Sequence, residues 1–325
     1  MGLREINIIS TARWSGAALF CMILAWYLAF TAFGDRPPYL GYVNAFGFWL
    51  GLGALLAGVA LAIARAWLAA AGAVALALVV LSHGGVALHR GRDAPPASGT
   101  ARVRLVTASL RSLNDDMEDA ARMLLSFRPD IIAVQEADPG PLLAALDRRS
   151  GGRWQMARLR NEAVLCRCPV EGAAGDAKVL RATARLASGP LTIWSVHAPK
   201  SYGRPLELLR FSDALRADML AHQPGIVAGD LNATPWNDGY RALADSYSDA
   251  WLKAGSGPGF TFPSRARRAG WLFPYLRLDY VLASPTLDPV RASTGVASHG
   301  ADHLPLVVEF AVPHHAATEA AMLSR

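Results

Sequence analysis

Five apolar runs end in residues able to carry acid, base or metal chemistry. Ile131-Ile132-Ala133-Val134 leads into Gln135-Glu136, and Leu191 to Val196 leads into His197. Ile226-Val227-Ala228 leads into Gly229-Asp230-Leu231-Asn232. Arg277-Leu278 precedes Asp279, and Gly300-Ala301 precedes Asp302-His303. Brought together, these side chains make a hard-oxygen cation site with two imidazoles. Hydrolysis of a phosphate ester needs that inventory: a divalent ion on the phosphoryl oxygens, a base for water and an acid for the leaving oxygen. Each piece alone is weak. A Glu after a strand is commonly just solvated, and Gly-Asp-Leu-Asn can be a turn. The ordered set is what points to chemistry.

The elements that must position them alternate along the chain. Val103–Leu110, Ile131–Val134, Glu162–Arg167, Val179–Ala187, Leu191–Val196, Ile226–Ala228, Leu278–Leu282 and Leu304–Phe310 read as strands. Met117–Phe127 and Pro205–Ala221 read as amphipathic helices. Mixed strands with helices between them predict a layered α/β domain.

The N-terminal part is built differently. Residues 1–90 hold five Arg and two acidic residues of the chain's 32 Lys+Arg and 26 Asp+Glu. Trp14 to Phe33 carries no charge, Gly34-Asp35-Arg36-Pro37-Pro38 breaks the run, and Tyr42 to Leu88 is interrupted only by Arg65. This predicts a membrane anchor over 1–90 with three spans, about 14–33, 42–64 and 67–88. A cleaved signal peptide before a buried helical domain is the alternative, but no small-residue cleavage site follows the first run. Residues 91–101 read as a Pro/Gly-containing linker, 102–313 as the catalytic domain and 314–325 as a flexible tail. Arg4 and Arg13 favour a cytoplasmic N-terminus, and three spans then place the catalytic domain outside, with Arg90 and Arg92 pulling the other way.

The net charge of +6 gives no basic stripe and little support for strong nonspecific nucleic-acid binding. Of the three cysteines, Cys21 lies in an apolar run. Cys166 and Cys168, two apart on a strand, would pair only with strain, so no disulfide is expected. No zinc-type spacing is present.

Pro129 to Glu136, Val196-His197-Ala198-Pro199, Gly229 to Trp236, Arg277 to Leu282 and Ala301 to Leu306 together resemble the endonuclease/exonuclease/phosphatase superfamily. The membrane layout is similar to its bacterial membrane-anchored branch, which includes teicoplanin-resistance-type proteins. The resemblance implies a four-layer α/β sandwich, two mixed sheets flanked by helices. It implies Mg²⁺ or Mn²⁺ as cofactor, Glu136 as principal ligand and Asp302 as an assistant. It gives Asp230 and Asn232 the water, a second metal position and the phosphate. His197 would contact the scissile phosphate, and His303 would act as base or phosphate stabiliser, oriented by Asp279. Two positions depart from the family pattern. Ser109 stands where the first strand usually ends in Asn, with Asn114 as a candidate substitute. Asn161-Glu162-Ala163 replaces Gly-Asn-Ala, so Glu162 adds a carboxylate that would tighten metal binding or repel an anionic substrate.

Three functions follow as expectations. The first is a phosphatase or phosphodiesterase in the bacterial inner membrane, acting on a lipid-linked or other membrane-proximal phosphate, with the bilayer as partner. The second is a nuclease on DNA or RNA, with Arg265, Arg267, Arg268 and Trp271 as its local basic and aromatic candidates. The third is a catalytically silent binding protein, against which Glu136, Asp230, Asn232, Asp279 and His303 argue. The run Arg265 to Arg277 has two readings: its aromatics fold back on the core, or it dips into a bilayer interface where Trp, Tyr and Arg are favoured.

Overall fold

The computed structural model describes residues 3–84, 100–111, 116–200 and 204–313. They form two compact units. One contains the N-terminal helices together with Lys200–Glu207 and Thr234–Asp238, and the other contains the rest of the chain.

In the helical unit, α1 spans Leu3–Phe33, α2 Leu40–Asn44, α3 Gly47–Ile63 and α4 Trp67–Gly84. Among the described residues two helices are long and apolar enough to cross a membrane, Asn7–Phe33 and Trp67–Gly84. This corrects the expectation of three. Residues 42–46 do not join the second span. Tyr39 takes φ 66° and opens the separate short helix α2, which leaves α3 with 17 residues, about 25 Å of rise. Arg65, at φ 57°, ends the run where it was expected. The end of the third span falls on residues 85–88, outside the described residues. Large apolar side chains face outward along the helices: Trp14, Met22, Leu28, Leu56, Leu68 and Leu78 are all exposed. Small residues let the helices approach, with Gly16 against Ala57 and Ala60, and Gly58 against Val74.

The second unit is the expected four-layer sandwich. Its elements in chain order are β1 (Thr100–Ser109), α5 (Met117–Ser126), β2 (Ile131–Gln135), α6 (Pro139–Ser150), β3 (Gln155–Leu159), β4 (Glu162–Cys166), β5 (Val170–Gly175), β6 (Val179–Leu186) and β7 (Gly189–His197). They continue with α7 (Pro205–Ala221), β8 (Gly225–Asp230), α8 (Asp238–Ala244), β9 (Ser248–Asp249), α9 (Ala250–Ala254), β10 (Asp279–Ala283), β11 (Asp288–Thr294) and β12 (Leu306–Pro313). One sheet has the order β11-β12-β1-β2-β4-β3 and the other β5-β6-β7-β8-β10-β9. Successive strand residues point to opposite faces, so each central strand feeds two cores. Leu105, Ile131, Ala133, Ile193, Ile226, Val281 and Val308 fill the space between the sheets. Val106, Ala108, Ile132 and Val134 pack outward under α5 and α6. Val196 and Val227 meet Leu208, Leu215 and Met219 of α7. Burial on both faces explains why these strands read as continuous apolar runs. β3, β5, β11 and α6 carry weaker patterns and were not legible beforehand.

The cysteine expectation is also corrected. Cys166 and Cys168 form a disulfide with Cα atoms 5.0 Å apart. β4 ends at Cys166, so Cys168 lies beyond the strand and the chain can turn to bring the sulfurs together.

Candidate active site

Strand register lines up the chemistry. β7 and β8 are parallel and place His197 beside Asp230. β8 and β10 are antiparallel and place Asp279 on the other side of Asp230. Three neighbouring strands of one sheet thus deliver His197, Asp230 and Asp279 in a row. In the other sheet β1 and β2 set Ser109 beside Gln135, and Glu136 follows at φ 54°. Gly229 before Asp230 is required: its φ is 143°, and an added Cβ would sit 2.1 Å from the Val196 carbonyl oxygen.

Two imidazoles converge on one carboxylate oxygen. His197 Nε2 lies 3.9 Å and His303 Nε2 3.8 Å from Asp230 Oδ2. Each ring has a second carboxylate partner. His197 Nε2 is 3.0 Å from Glu136 Oε1, and His303 Nδ1 is 2.8 Å from Asp279 Oδ2. Asp279 and His303 are buried, whereas Glu136 keeps 29 % of its side chain exposed. That leaves Glu136 accessible and Asp279 committed to the ring behind it.

Burial works against the His303 imidazolium, but the charges of Asp279 and Asp230 outweigh it and raise the ring to about 10. His303 is therefore a cation at neutral pH. Burial pushes Asp230 upward, the neighbouring Asp279 and Glu136 carboxylates push the same way, and His303 opposes them. Asn232 takes φ 47°, and its backbone N–H donates to Asp230 Oδ1 at 2.7 Å while its Nδ2 donates to Ala198 O at 2.8 Å. The Asp-x-Asn pair is a turn whose own hydrogen bonds fix the carboxylate.

The remaining expected residues divide. Asp302 does not join the carboxylates around Asp230. Its Oδ2 accepts from Arg267 Nε at 2.8 Å and Nη2 at 2.7 Å, and its charge adds to the field that favours the His303 cation. Arg267 is thus paired with Asp302, although half of its side chain stays exposed. Ser109 is buried, and its Oγ has no hydrogen-bond partner among the described residues. Glu162 is buried at the start of β4, 3.5 Å from Ser195 Oγ. Burial and the nearby Glu136 raise it to about 9, so it holds its proton at neutral pH. Arg268 and Trp271 are exposed, with Trp271, Leu272 and Phe273 at 72 %, 54 % and 49 %. Trp271, Leu272 and Phe273 do not fold back on the core, whereas Tyr275 and Leu276 are half-buried. Asn114 lies outside the described residues.

Several contributors were not foreseen. Gln135 Nε2 donates to Ser195 Oγ at 2.8 Å, and Ser195 Oγ donates to Val134 O at 3.0 Å, tying the two sheets together beneath the site. Thr107 Oγ1 donates to Gln135 Oε1. The Phe262 ring lies 4.8 Å from that of His303. Arg277 is buried against Asp249. The only sequence signal for most of these was a polar residue inside an apolar strand.

Around Glu136 and Asp230 stand carboxylate and amide oxygens with two imidazoles and no thiolate, and the oxygens suit a hard cation such as Mg²⁺ or Mn²⁺. Among the described residues no three His, Cys, Asp or Glu side chains are placed so that they could together hold a metal ion. Mg²⁺ keeps several waters and is held by one or two carboxylates, so an open site with an accessible Glu136 fits it. Asp279 Oδ1, buried without a hydrogen-bond partner among the described residues, is further unspent acceptor capacity.

Known proteins share this fold. The chain covers nearly all of a Leptotrichia buccalis endonuclease/exonuclease/phosphatase family protein: 64% of this chain and 99% of that one, at 16% identity and TM-score 0.53. A Bacteroides vulgatus endonuclease/exonuclease/phosphatase matches at 15% identity and TM-score 0.53, over 65% and 99%. D. rerio TDP2 complexed with single strand DNA product matches at 17% identity and TM-score 0.51, over 65% and 99%. These likenesses establish the fold. No curated protein matches the sequence. The Endonuclease/Exonuclease/phosphatase family pattern matches residues 90–303, and with most of its sandwich inside that match the chain belongs to this family of phosphoester hydrolases.

Proposed function

We propose that the protein is a divalent-cation-dependent phosphatase or phosphodiesterase acting on a phosphate ester at a membrane surface. The observation that carries the hydrolytic part is the convergence of His197 and His303 on Asp230 Oδ2, each ring held by its own carboxylate. Glu136, with Asp230 and Asn232, would hold Mg²⁺ or Mn²⁺, which when bound supplies positive charge to the phosphoryl oxygens.

The protein's own groups do the rest. His303, kept cationic by Asp279 and Asp230, binds and polarises a phosphate oxygen. Asp279 fixes the ring's orientation by accepting from Nδ1, which leaves the Nε2 proton for substrate. Asp230, its carboxylate shifted upward by burial, is suited to accept a proton from water. His197, between Glu136 and Asp230, serves the leaving oxygen. Glu162 stays neutral, so it adds no negative charge against an anionic substrate.

The membrane part of the reading rests on two features. The helices carry outward apolar side chains, and Trp271, Leu272 and Phe273 are exposed in the loop whose Arg267 holds Asp302. Within the helical unit α3 packs against both longer helices. Asn44, just before α3, bonds Asp35, just after α1. Gly47 at the start of α3 and Gly84 at the end of α4 lie against the same Trp236 ring. Should the shorter α3 cross with them, Arg4 and Arg13 inside would put the sandwich outside the cytoplasm, in a bacterial plasma membrane. A nuclease remains the second reading, favoured by exposed Arg265, Arg268 and Trp271. It gains less from Arg267, which is already paired. The test is hydrolysis of a polyprenyl phosphate, a phospholipid phosphate, single-stranded DNA and a chromogenic phosphodiester, with Mg²⁺ and with EDTA. Turnover of DNA alone would replace the proposal by the nuclease reading, and turnover of none in Mg²⁺ or Mn²⁺ would end both.

A further inference from the structure

The helical unit contains a piece of chain far from its helices in sequence. Thr234–Asp238 belong to it, and in the chain they directly follow Asp230-Leu231-Asn232-Ala233. The residue that receives them is Asp35, in the Gly-Asp-Arg-Pro-Pro break after α1. Asp35 is 3 % exposed. Its Oδ1 accepts from Asn44 Nδ2 at 2.8 Å, and Asn237 Nδ2 reaches both carboxylate oxygens at 3.1 and 3.2 Å. Its Oδ2 also accepts from the Asp238 backbone N–H at 2.8 Å. The contact is reciprocal, because the Asp35 backbone N–H donates to Asp238 Oδ2 at 2.8 Å.

The network extends on both sides. Asn237 Nδ2 also donates to Gly41 O at 2.8 Å, and Asn237 Oδ1 accepts from the Thr234 backbone N–H at 2.8 Å and from Thr234 Oγ1 at 3.0 Å. Asn44 Oδ1 accepts from Trp26 Nε1, and Trp236 Nε1 donates to Val80 O, both at 3.0 Å. The Trp236 ring lies where a Cβ on Gly47 or Gly84 would come within 2.3 or 2.0 Å of it.

A passive tether has no use for this. Burying a carboxylate is costly unless several donors satisfy it, and here, besides Asn44, the donors come from residues about two hundred positions away. What the arrangement fixes is Thr234 to Asp238. One peptide bond upstream, Ala233 O accepts from Tyr280 OH at 3.0 Å, and the left-handed Asn232 holds Asp230 Oδ1. The turn that presents Asp230 and Asn232 is therefore a short span with both ends fastened.

We propose that Asp35 is a positioning residue for the phosphoester site: by holding Asn237 and Asp238 it sets the turn that carries Asp230 and Asn232. This rests on the hydrolase reading given above. A displacement of about 1 Å in a catalytic group can cost on the order of a hundredfold in rate, so a clasp on the residues next to the turn bears on the geometry of Asp230 and Asn232.

The test compares the full chain, in nanodiscs, with Asp35→Asn, which keeps the shape but replaces an acceptor with a donor. Gly58→Ala is the control: it presses on Val74 and disturbs the helices away from the clasp. Mn²⁺ affinity is read by electron paramagnetic resonance, and amide hydrogen exchange is read over residues 231–238. The expected result is at least tenfold weaker Mn²⁺ binding in Asp35→Asn with faster exchange at Asn232, Thr234 and Asp238. Gly58→Ala should match the parent in both. The pair Asp35→Asn with Asn237→Asp restores a donor facing an acceptor and should recover much of the loss. Should Asp35→Asn fail to accumulate folded, Asn237→Ser carries the same comparison. Parental Mn²⁺ affinity and exchange in a folded Asp35 or Asn237 variant would overturn the positioning role. Failure of the parent chain itself to bind Mn²⁺ would instead overturn the hydrolase reading.

Discussion

Replacing Glu162 with Gln should stabilise the protein, and by an amount that grows with pH. Glu162 is buried at the start of β4, raised from 4.5 to about 9, first by burial and then by Glu136. In the unfolded chain it ionises above about 4.5, whereas in the folded protein it keeps its proton up to about 9. Across that window the folded state binds more protons, so stability falls as pH rises. Each unit is worth roughly 1.4 kcal/mol, and three units from pH 5 to pH 8 give roughly 4 kcal/mol. Glutamine has no proton to hold and escapes this loss, while the other titrating groups act on both proteins. The assay is urea unfolding of the detergent-solubilised chain in EDTA at pH 5, 6, 7 and 8. With an m-value of about 2–3 kcal/mol/M, the gap between the two midpoints should widen by roughly 1.3–2 M across the series. Parallel pH curves, or a parent that gains on the variant as pH rises, would refute the assignment of a protonated Glu162. The functional consequence is that Gln should also preserve turnover, because the native side chain is already neutral.

Glu136→Gln should lower turnover by orders of magnitude with little change in unfolding midpoint, since the side chain is partly exposed and its loss creates no cavity; unchanged activity, in the variant or with chelator, would remove Glu136 from the site. Asp279→Asn should bring the His303 titration down from about 10 towards its ordinary value and shift the alkaline limb of the rate profile the same way, checked by NMR of the imidazole protons. Trp271→Ala with Phe273→Ala should slow hydrolysis of a lipid phosphate in vesicles far more than that of a soluble chromogenic ester; equal losses would mean a structural role for the loop. A C-terminal phosphatase fusion should be active and a fluorescent-protein fusion dark if the sandwich lies outside the cytoplasm, and the reverse pair would place it inside.

Much of the site could be read from composition along strands. Buried on both faces, β2, β7 and β8 show as apolar runs, and Glu136, His197 and Asp230 stand out because the apolar pattern stops at them. The disulfide and the short α3 were misread for one shared reason. Both depend on where an element ends or begins, β4 at Cys166 and α2 after Tyr39, and such boundaries are set by local dihedrals that composition does not reveal.

The sequence by itself determined the layered α/β domain, the apolar N-terminal part and the types of residue at the strand ends, because burial imposes a period on the chain that survives without coordinates. Which of those residues meet was decided only by tertiary structure. Asp302 sits next to His303 in the chain yet pairs with Arg267, and Asp230 is met by two imidazoles from distant segments. Asp35 read as part of a helix break and proves to be a buried acceptor for Asn237 and Asp238. Pairings of this kind are fixed by strand register and loop path, which bring together residues up to two hundred positions apart, and no local pattern in either partner encodes the other.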